Sequence, residues 1–239
     1  MNKKASHVGI ILSFAIFITF LAFLYSITEP AFQTQKNQKI LLSYLQKELI
    51  GTSSVQVISS TITINADKNC VELENLLNEL KIDSSNIVKD EYEEIAQANL
   101  TQGKQDNLLI NRINSSYNFF KIYNSIEFEN MTEKTIPGCQ PLELYKNYSL
   151  GVTKKENYIF DVELINLINK YENNYLAFKN ELKIPEGTDF AFNFESGNGT
   201  IISTSEKDVT TSIYAEEIPI QYMDKNAKIN YGFLTVKIW

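Results

Sequence analysis

Val8 to Ile27 reads VGIILSFAIFITFLAFLYSI, and this stretch decides the architecture of the chain. It holds no charge and no proline. Twenty residues at a helical rise of about 1.5 Å span roughly 30 Å, the thickness of a bilayer's hydrocarbon core. Ser13, Thr19 and Ser26 can return their hydroxyls to the helix backbone, and Tyr25 stands where an interfacial aromatic belongs. The run is apolar on every face, unlike the core helix of a soluble protein. A cleaved signal peptide, the main alternative, would have a shorter apolar run and a small-x-small cleavage site. The one candidate here, Ser26-Ile27-Thr28, fits that pattern poorly and has Pro30 close behind. The run therefore reads as a single-pass anchor that meets the lipid bilayer through residues 8–27.

Flanking charge sets the expected orientation. Lys3 and Lys4 precede the run, and the first charge after it is Glu29. The positive-inside bias then leaves the N-terminus in the cytoplasm and everything beyond Pro30 outside. Only about six residues would face the cytoplasm, too few for a kinase or transducer module.

Outward from the anchor, Ala31 to Ile50 continues with helix formers, and Ile40, Leu41, Leu42, Leu45 and Leu49 recur at helical spacing. Gly51 and Thr52 supply a stop. One long N-terminal helix is expected, in lipid over its first half, kinked near Pro30, and packed on an outer domain over its second.

Beyond Gly51 the period changes. Val55, Val57, Ile62 and Ile64 alternate as in a half-buried strand. Leu73, Leu76, Leu77 and Leu80 fit a short amphipathic helix. Residues 85–115 are polar and lack a clear period, apart from a candidate strand at Leu108 to Ile113. Tyr117 to Phe128 and Leu144 to Val152 read as strands. Asp161 to Leu182 reads as one helix with Asp161 as N-cap and a stripe of Val162, Ile165, Ile168, Tyr171, Tyr175, Phe178 and Leu182, ended by Pro185 and Gly187. Phe190, Phe192 and Phe194 alternate before a turn at Gly197-Asn198-Gly199 into Thr200 to Thr204. Ile213 to Tyr222 follows, with Pro219 suggesting an edge strand. Gly232 to Trp239 places Leu234, Val236 and Ile238 on one face.

The fold class is thus α+β: a long N-terminal transmembrane helix continuing as an amphipathic helix, then an antiparallel β-rich domain with one or two further helices. The expected divisions are 1–28 for tail and anchor, 29–52 for the helical extension and 53–239 for the outer domain. No internal repeat or Pro/Gly/Ser-rich linker divides that domain.

Composition narrows function by exclusion. The 239 residues are 44% hydrophobic and 12% aromatic, so the chain is not disordered. Residues 29–239 carry 29 acids against 20 bases, and Arg112 is the only arginine. An acidic outer domain is a poor partner for nucleic acid or anionic headgroups, which need a basic face. The only histidine, His7, stands at the cytoplasmic lip of the anchor, so Ser-His-Asp and Cys-His catalysis have no histidine outside the membrane. Glu93-Glu94 and Glu216-Glu217 are adjacent acids. Neighbours in a strand point to opposite faces, and a glycosidase pair must converge on one substrate. No EF-hand loop, P-loop or dinucleotide glycine fingerprint occurs. No cofactor is implied.

Cys70 and Cys139 are the only cysteines, both in polar, turn-like contexts. Outside the membrane they suit a structural disulfide, with two unpaired thiols as the alternative. A redox or zinc role would want a C-x-x-C pair or a nearby histidine. Asn99, Asn114, Asn130, Asn147 and Asn198 stand in N-x-S/T sequons, acceptors for glycosylation on an exported domain. An Asn-rich chain generates such sequons by chance, so they agree with the anchor without establishing it. The aromatic stripes on the Asp161 helix and at Phe190, Phe192 and Phe194 read as core, with a carbohydrate or partner surface as the alternative.

The start KKASHVGIILSFAIFITFLAFLYSITEP resembles archaeal membrane-anchored proteins of type IV pilin-like or pseudopilin-like build. YAEEIPIQY and the closing GFLTVKIW resemble the end of such chains. The resemblance implies a basic leader, a hydrophobic helix that runs on to carry a β-rich head outside the cell, and self-association or assembly with other envelope proteins. Two departures stand out: Ser6-His7 follows Lys4-Ala5 where a leader peptidase would want another pattern, and no glutamate lies between Ser6 and Thr28. The leading expectation is a non-catalytic surface protein acting in assembly. An anchored module binding a solute, glycan or protein is the alternative, and a hydrolase working with carboxylates alone comes third.

Overall fold

The computed structural model describes residues 3–112, 118–205, 207, 209 and 212–239, with side chains inside the first helix given from 9 to 29 and from 36 onward. Asn114, Ile113 and Tyr117 lie outside the described residues, as do the side chains of Lys3, Lys4 and His7.

The fold is α+β. Helix α1 (Lys3–Thr52) runs through Pro30 without a break. Its apolar segment Gly9–Glu29 covers 21 residues, and none of it is buried against the rest of the chain. It is long and apolar enough to cross a membrane. Further along the same helix, Leu42, Leu45 and Leu49 are fully enclosed. Ile40 is exposed, so the expected stripe begins at Leu41, which is half-buried, and Leu42, which is buried. The helix stops through hydroxyls more than through Gly51. Thr52, Ser53 and Ser54 donate from their Oγ atoms to the carbonyls of Glu48, Leu49 and Ile50, at 2.8, 2.8 and 2.6 Å, adding side-chain bonds to the last turn, where the helical ladder runs out and the Ser53 amide makes the closing bond to Leu49.

The strands form two sheets. The larger runs β11-β10-β13-β12-β9-β1-β6-β3, from β1 (Ser54–Ile64), β3 (Asn86–Asp90), β6 (Phe119–Asn124), β9 (Tyr148–Phe160), β10 (Phe190–Glu195), β11 (Ile201–Ser203), β12 (Tyr214–Met223) and β13 (Ile229–Ile238). The smaller runs β7-β4-β5-β2-β8, from β2 (Cys70–Leu73), β4 (Gln97–Thr101), β5 (Lys104–Asn111), β7 (Glu133–Lys134) and β8 (Gln140–Leu142). Most pairings are antiparallel, but β12/β9, β2/β8 and β4/β7 are parallel.

The large sheet splits into two lobes. Strand β12 meets β9 only through Tyr222↔Ile159 and Met223↔Phe160. On one side, β10 to β13 carry Phe190, Phe192, Phe194, Leu234, Val236 and Ile238 against α1, α3 (Asp161–Asn173) and α4 (Tyr175–Glu181). On the other, β9, β1, β6 and β3 pack Ile62, Ile64, Phe120, Ile122 and Val88 against the small sheet and α2 (Leu76–Leu80). A third cluster of Val57, Phe128, Phe160, Met223 and Ala227 fills the junction. The second lobe is one excursion of the chain. It leaves at Ser54 and returns at Ile159, which are paired across β1 and β9, and the Phe160 amide donates to the Ser53 carbonyl at 3.0 Å.

Three expectations need correction. The helix expected over Asp161 to Leu182 is two helices. Asn174 breaks it at φ −152°, and its carboxamide oxygen caps α4 by accepting from the Ala177 amide at 3.2 Å. The buried stripe on α3 is Leu164, Leu167, Ile168 and Tyr171, while Val162 is exposed. Strand β12 is interior to the sheet, not at its edge. Yet Pro219 lies where β12 has only β13 beside it, so its missing N–H leaves no ladder bond unmade. The polar stretch 85–115, which lacks a clear period, contains three strands, β3, β4 and β5, the last overlapping the candidate strand at Leu108 to Ile113.

Cys70 and Cys139 form the disulfide, with Cα atoms 4.5 Å apart. It joins the start of β2 to the residue before β8, beside their parallel pairing Val71↔Gln140 to Leu73↔Leu142. Nearby, Arg112 is buried and fastens the 66–69 loop: its Nε donates to the Lys68 carbonyl at 3.0 Å and an Nη to the Ala66 carbonyl at 2.6 Å. Burial holds its pKa below the ordinary value. The chain's single arginine is thus a structural clasp.

Candidate functional site

Where the two lobes meet, the outer face of β9-β1-β6-β3 looks toward the β12–β13 turn. Strand register decides which side chains share that face. Lys89 stands directly opposite Lys121, Lys121 opposite Thr61, Tyr123 opposite Ser59, and Ser59 opposite Lys154. A cavity of about 630 Å³ lies between Lys89, Lys121 and Tyr123 on the sheet, the Tyr92–Ile95 turn, and Asn226 to Ile229. A second, of about 270 Å³, is lined by Ser59, Thr61, Lys154, Glu156 and Tyr158. The two share Lys121, Tyr123 and Ile229, so they form one groove across four strands.

Lys89 dominates its chemistry. The residue is 5% exposed. Its Nζ donates to the Ala227 carbonyl at 2.7 Å and sits 5.6 Å from the Tyr123 ring centroid. Among the described residues no carboxylate lies within ion-pair distance of it. Burial pulls its pKa below the ordinary lysine value, opposed by the more distant charges of Glu93 and Asp224. An ammonium has three protons to donate, and among the described residues Lys89 has one hydrogen-bond acceptor, the Ala227 carbonyl. Lys121, by contrast, is bonded to Glu93, which raises its pKa. Lys154 and Lys228 are exposed and make no ion pair among the described residues. Tyr123 is pushed up by burial and by Glu93.

Both walls of the groove are shaped by left-handed residues. Glu93 has φ 62° and Ala227 has φ 55°. The Asp224 carboxylate holds the second turn by accepting from the Asn226 and Lys228 amides at 2.9 and 3.0 Å. That turn aims the Ala227 carbonyl at Lys89.

A separate hollow, also about 630 Å³, lies on the outer face of β12 and β13 under the 197–199 turn. Pro219, Tyr231 and Phe233 line it, and Glu195 is its one charged residue.

The residues singled out in the sequence do not converge. Glu216 and Glu217 point to opposite faces, Glu217 accepting from the Thr235 hydroxyl at 3.3 Å. Glu93 is occupied by Lys121, and the Glu94 amide donates to Asp90. Tyr171, Phe178, Phe190, Phe192 and Phe194 are core. Asn130 and Asn198 are exposed, Asn99 and Asn147 half-buried. Asn130 accepts from Ser84 and Ser85, and Asn198 from the Thr200 amide in its hairpin turn. Among the described residues, no group of three or more His, Cys, Asp or Glu could hold a metal. The groove itself escaped sequence reading. Lys89 sits in NIVKD, inside the stretch without a period, and nothing local marks it as buried.

The arrangement defines an α+β protein with an uncovered apolar helix and a cationic inter-lobe groove. Comparison of the chain with protein-family models, curated proteins and solved structures finds no match.

Proposed function

We propose that the chain is a single-pass membrane protein of pilin-like build. Residues 8–27 anchor it, Lys3 and Lys4 stay in the cytoplasm, and the head stands on the outer side and acts by assembly, not catalysis. One observation carries this reading: the Gly9–Glu29 segment is wholly uncovered, while the same unbroken helix ends inside a core. Beyond the span the helix continues as an amphipathic shaft, with Leu42, Leu45 and Leu49 turned inward and Lys39, Ile40 and Lys47 outward. The shaft packs on β12, β13 and α3, so a four-stranded sheet, β11-β10-β13-β12, closes the chain against the helix that opens it. That layout is the one the pilin resemblance implies. The run's lack of a glutamate separates membrane attachment from filament formation, and the attachment stands without it.

The test is membrane fractionation of cells making the full chain, followed by alkaline extraction, external protease treatment, cross-linking and sequencing of the mature N-terminus. Retention after alkaline extraction, a protease-sensitive head and a cross-linked ladder are expected. A mature protein starting after residue 28 and found in the medium would refute the anchor. A protein always monomeric in the membrane would refute assembly.

A second reading, an anchored binding module, is favoured by the groove at the lobe junction. Clefts between lobes are common ligand sites, and this one combines a buried cation with tyrosines and hydroxyls.

A further inference from the structure

Resting on the binding-module reading, we infer that the inter-lobe groove binds an acidic saccharide, with a uronate carboxylate seated at Lys89. Charge supplies the first argument. The chain is acidic overall, at −7, yet the groove gathers Lys89, Lys121, Lys154 and Lys228 along its length. Of its three acids, Glu93 is paired with Lys121, while Glu156 accepts from the neutral Tyr158 hydroxyl at 2.9 Å and keeps its charge. Among the described residues, Lys89, Lys154 and Lys228 are left outside any ion pair, against Glu94 and Glu156, so the groove keeps a net positive charge in an acidic chain.

The second argument is the state of Lys89. A buried ammonium with a single acceptor is poorly compensated, and Lys121 directly across the strand pair adds like-charge repulsion. A carboxylate at the floor of the groove would accept the remaining protons and offset both penalties. Simple bridging of the lobes explains the bond to Ala227 but would be served as well by a neutral donor.

The third argument concerns what accompanies the anion. Tyr92 is exposed at the mouth and the Tyr123 ring forms part of the floor, so flat apolar faces flank the cation. Ser59, Thr61 and Asn226 add hydroxyl and amide groups along the same face. A sugar ring offers a C–H face for an aromatic and hydroxyls for polar side chains. The volume of about 630 Å³ beside Lys89 falls in the range of small-molecule sites.

The test is calorimetric titration of the full chain in phosphatidylcholine nanodiscs with tri-galacturonate, maltotriose and hexaglutamate, at low and physiological salt. Tri-galacturonate should bind and maltotriose should not. Lys89→Met should weaken tri-galacturonate at least about tenfold, the loss of one charged hydrogen bond. Lys154→Gln with Lys228→Gln, both at exposed positions that cannot threaten the fold, should weaken it severalfold and flatten its salt dependence. Unchanged binding in both variants would overturn the inference. Hexaglutamate binding as tightly as tri-galacturonate would reassign the groove to acidic peptides. Maltotriose binding that falls in Tyr92→Ala would overturn the acidic class and leave the binding module standing. No heat with any probe, on protein with a normal unfolding transition, would remove both.

Discussion

Replacing Cys70 and Cys139 by serine tests how the second lobe is held together. The disulfide closes a loop with a sequence separation of 69. In the chain-entropy relation, a loop of that size restrains the unfolded chain by about 4 kcal/mol. Spread over a protein of this size, that loss lowers the unfolding midpoint by roughly 8–16 °C. Location sharpens the expectation. Strand β8 holds on to the small sheet through three residue pairs with β2, and the bond stands at the head of that pairing. The damage should therefore begin in the small sheet and leave the α1 lobe, which shares no strand with it, protected. The assay is thermal unfolding of the full chain in detergent, with and without reductant, alongside hydrogen exchange resolved by segment. Amides of β2 and β8 should lose protection while those of β10 and β13 keep theirs. A midpoint change under about 3 °C would refute the entropic reasoning. Equal loss of protection in both lobes would refute their separation.

Three further outcomes follow from the core. Gln46 on α1 is buried and its Nε2 has no hydrogen-bond partner among the described residues, so Gln46→Leu should stabilise by about 1–2 kcal/mol in denaturant titration. A Cβ on Gly232 would come within 2.3 Å of the Glu195 carbonyl, a backbone atom fixed by the β10–β13 ladder. Gly232→Ala should therefore cost about 2 kcal/mol or more by the same measurement. The Tyr148 hydroxyl donates to the Glu74 carbonyl at 2.6 Å, and burial first, then Glu79 and Glu74, push its pKa up to about 12 from 10. The neutral form is favoured in the fold, so this stability is complete below pH 10 and disappears as pH rises toward 12. Tyr148→Phe should flatten that decline in an alkaline stability series, and Tyr175, raised by burial and by Asp189, accounts for part of what persists.

What the sequence made legible follows from which faces are wet. Strand β13 has one buried face, so Leu234, Val236 and Ile238 alternate with exposed or half-exposed residues and the strand reads directly. Strand β5 is exposed and polar over Lys104, Gln105 and Asp106, which hid its first half, and it buries Asn107, Leu108, Leu109 and Ile110 in succession between layers, which erases alternation from the half that reads as a strand. Strand β3 is buried on nearly every residue for the same reason. The break at Asn174 was hidden differently. Apolar spacing continues from Tyr171 through Tyr175 to Phe178, so periodicity carries across a cap that only backbone conformation reveals. The groove depends on cross-strand register between segments far apart in the chain. Lys89 and Ala227 are 138 residues apart, beyond the reach of any local pattern.

The excursion from Ser54 to Phe160 has a consequence for how such a chain can be built. Its two ends are hydrogen-bonded neighbours at the foot of a strand ribbon, so the lobe is plugged into the rest of the head at one socket. A short hairpin closing β1 onto β9 near Val57 and Glu156, which already face each other, would leave the helix, the four-stranded sheet and their shared core intact. The domain is thus a chassis with an exchangeable cassette, and one frame can carry different surfaces without redesign of the helix and four-stranded sheet that form it.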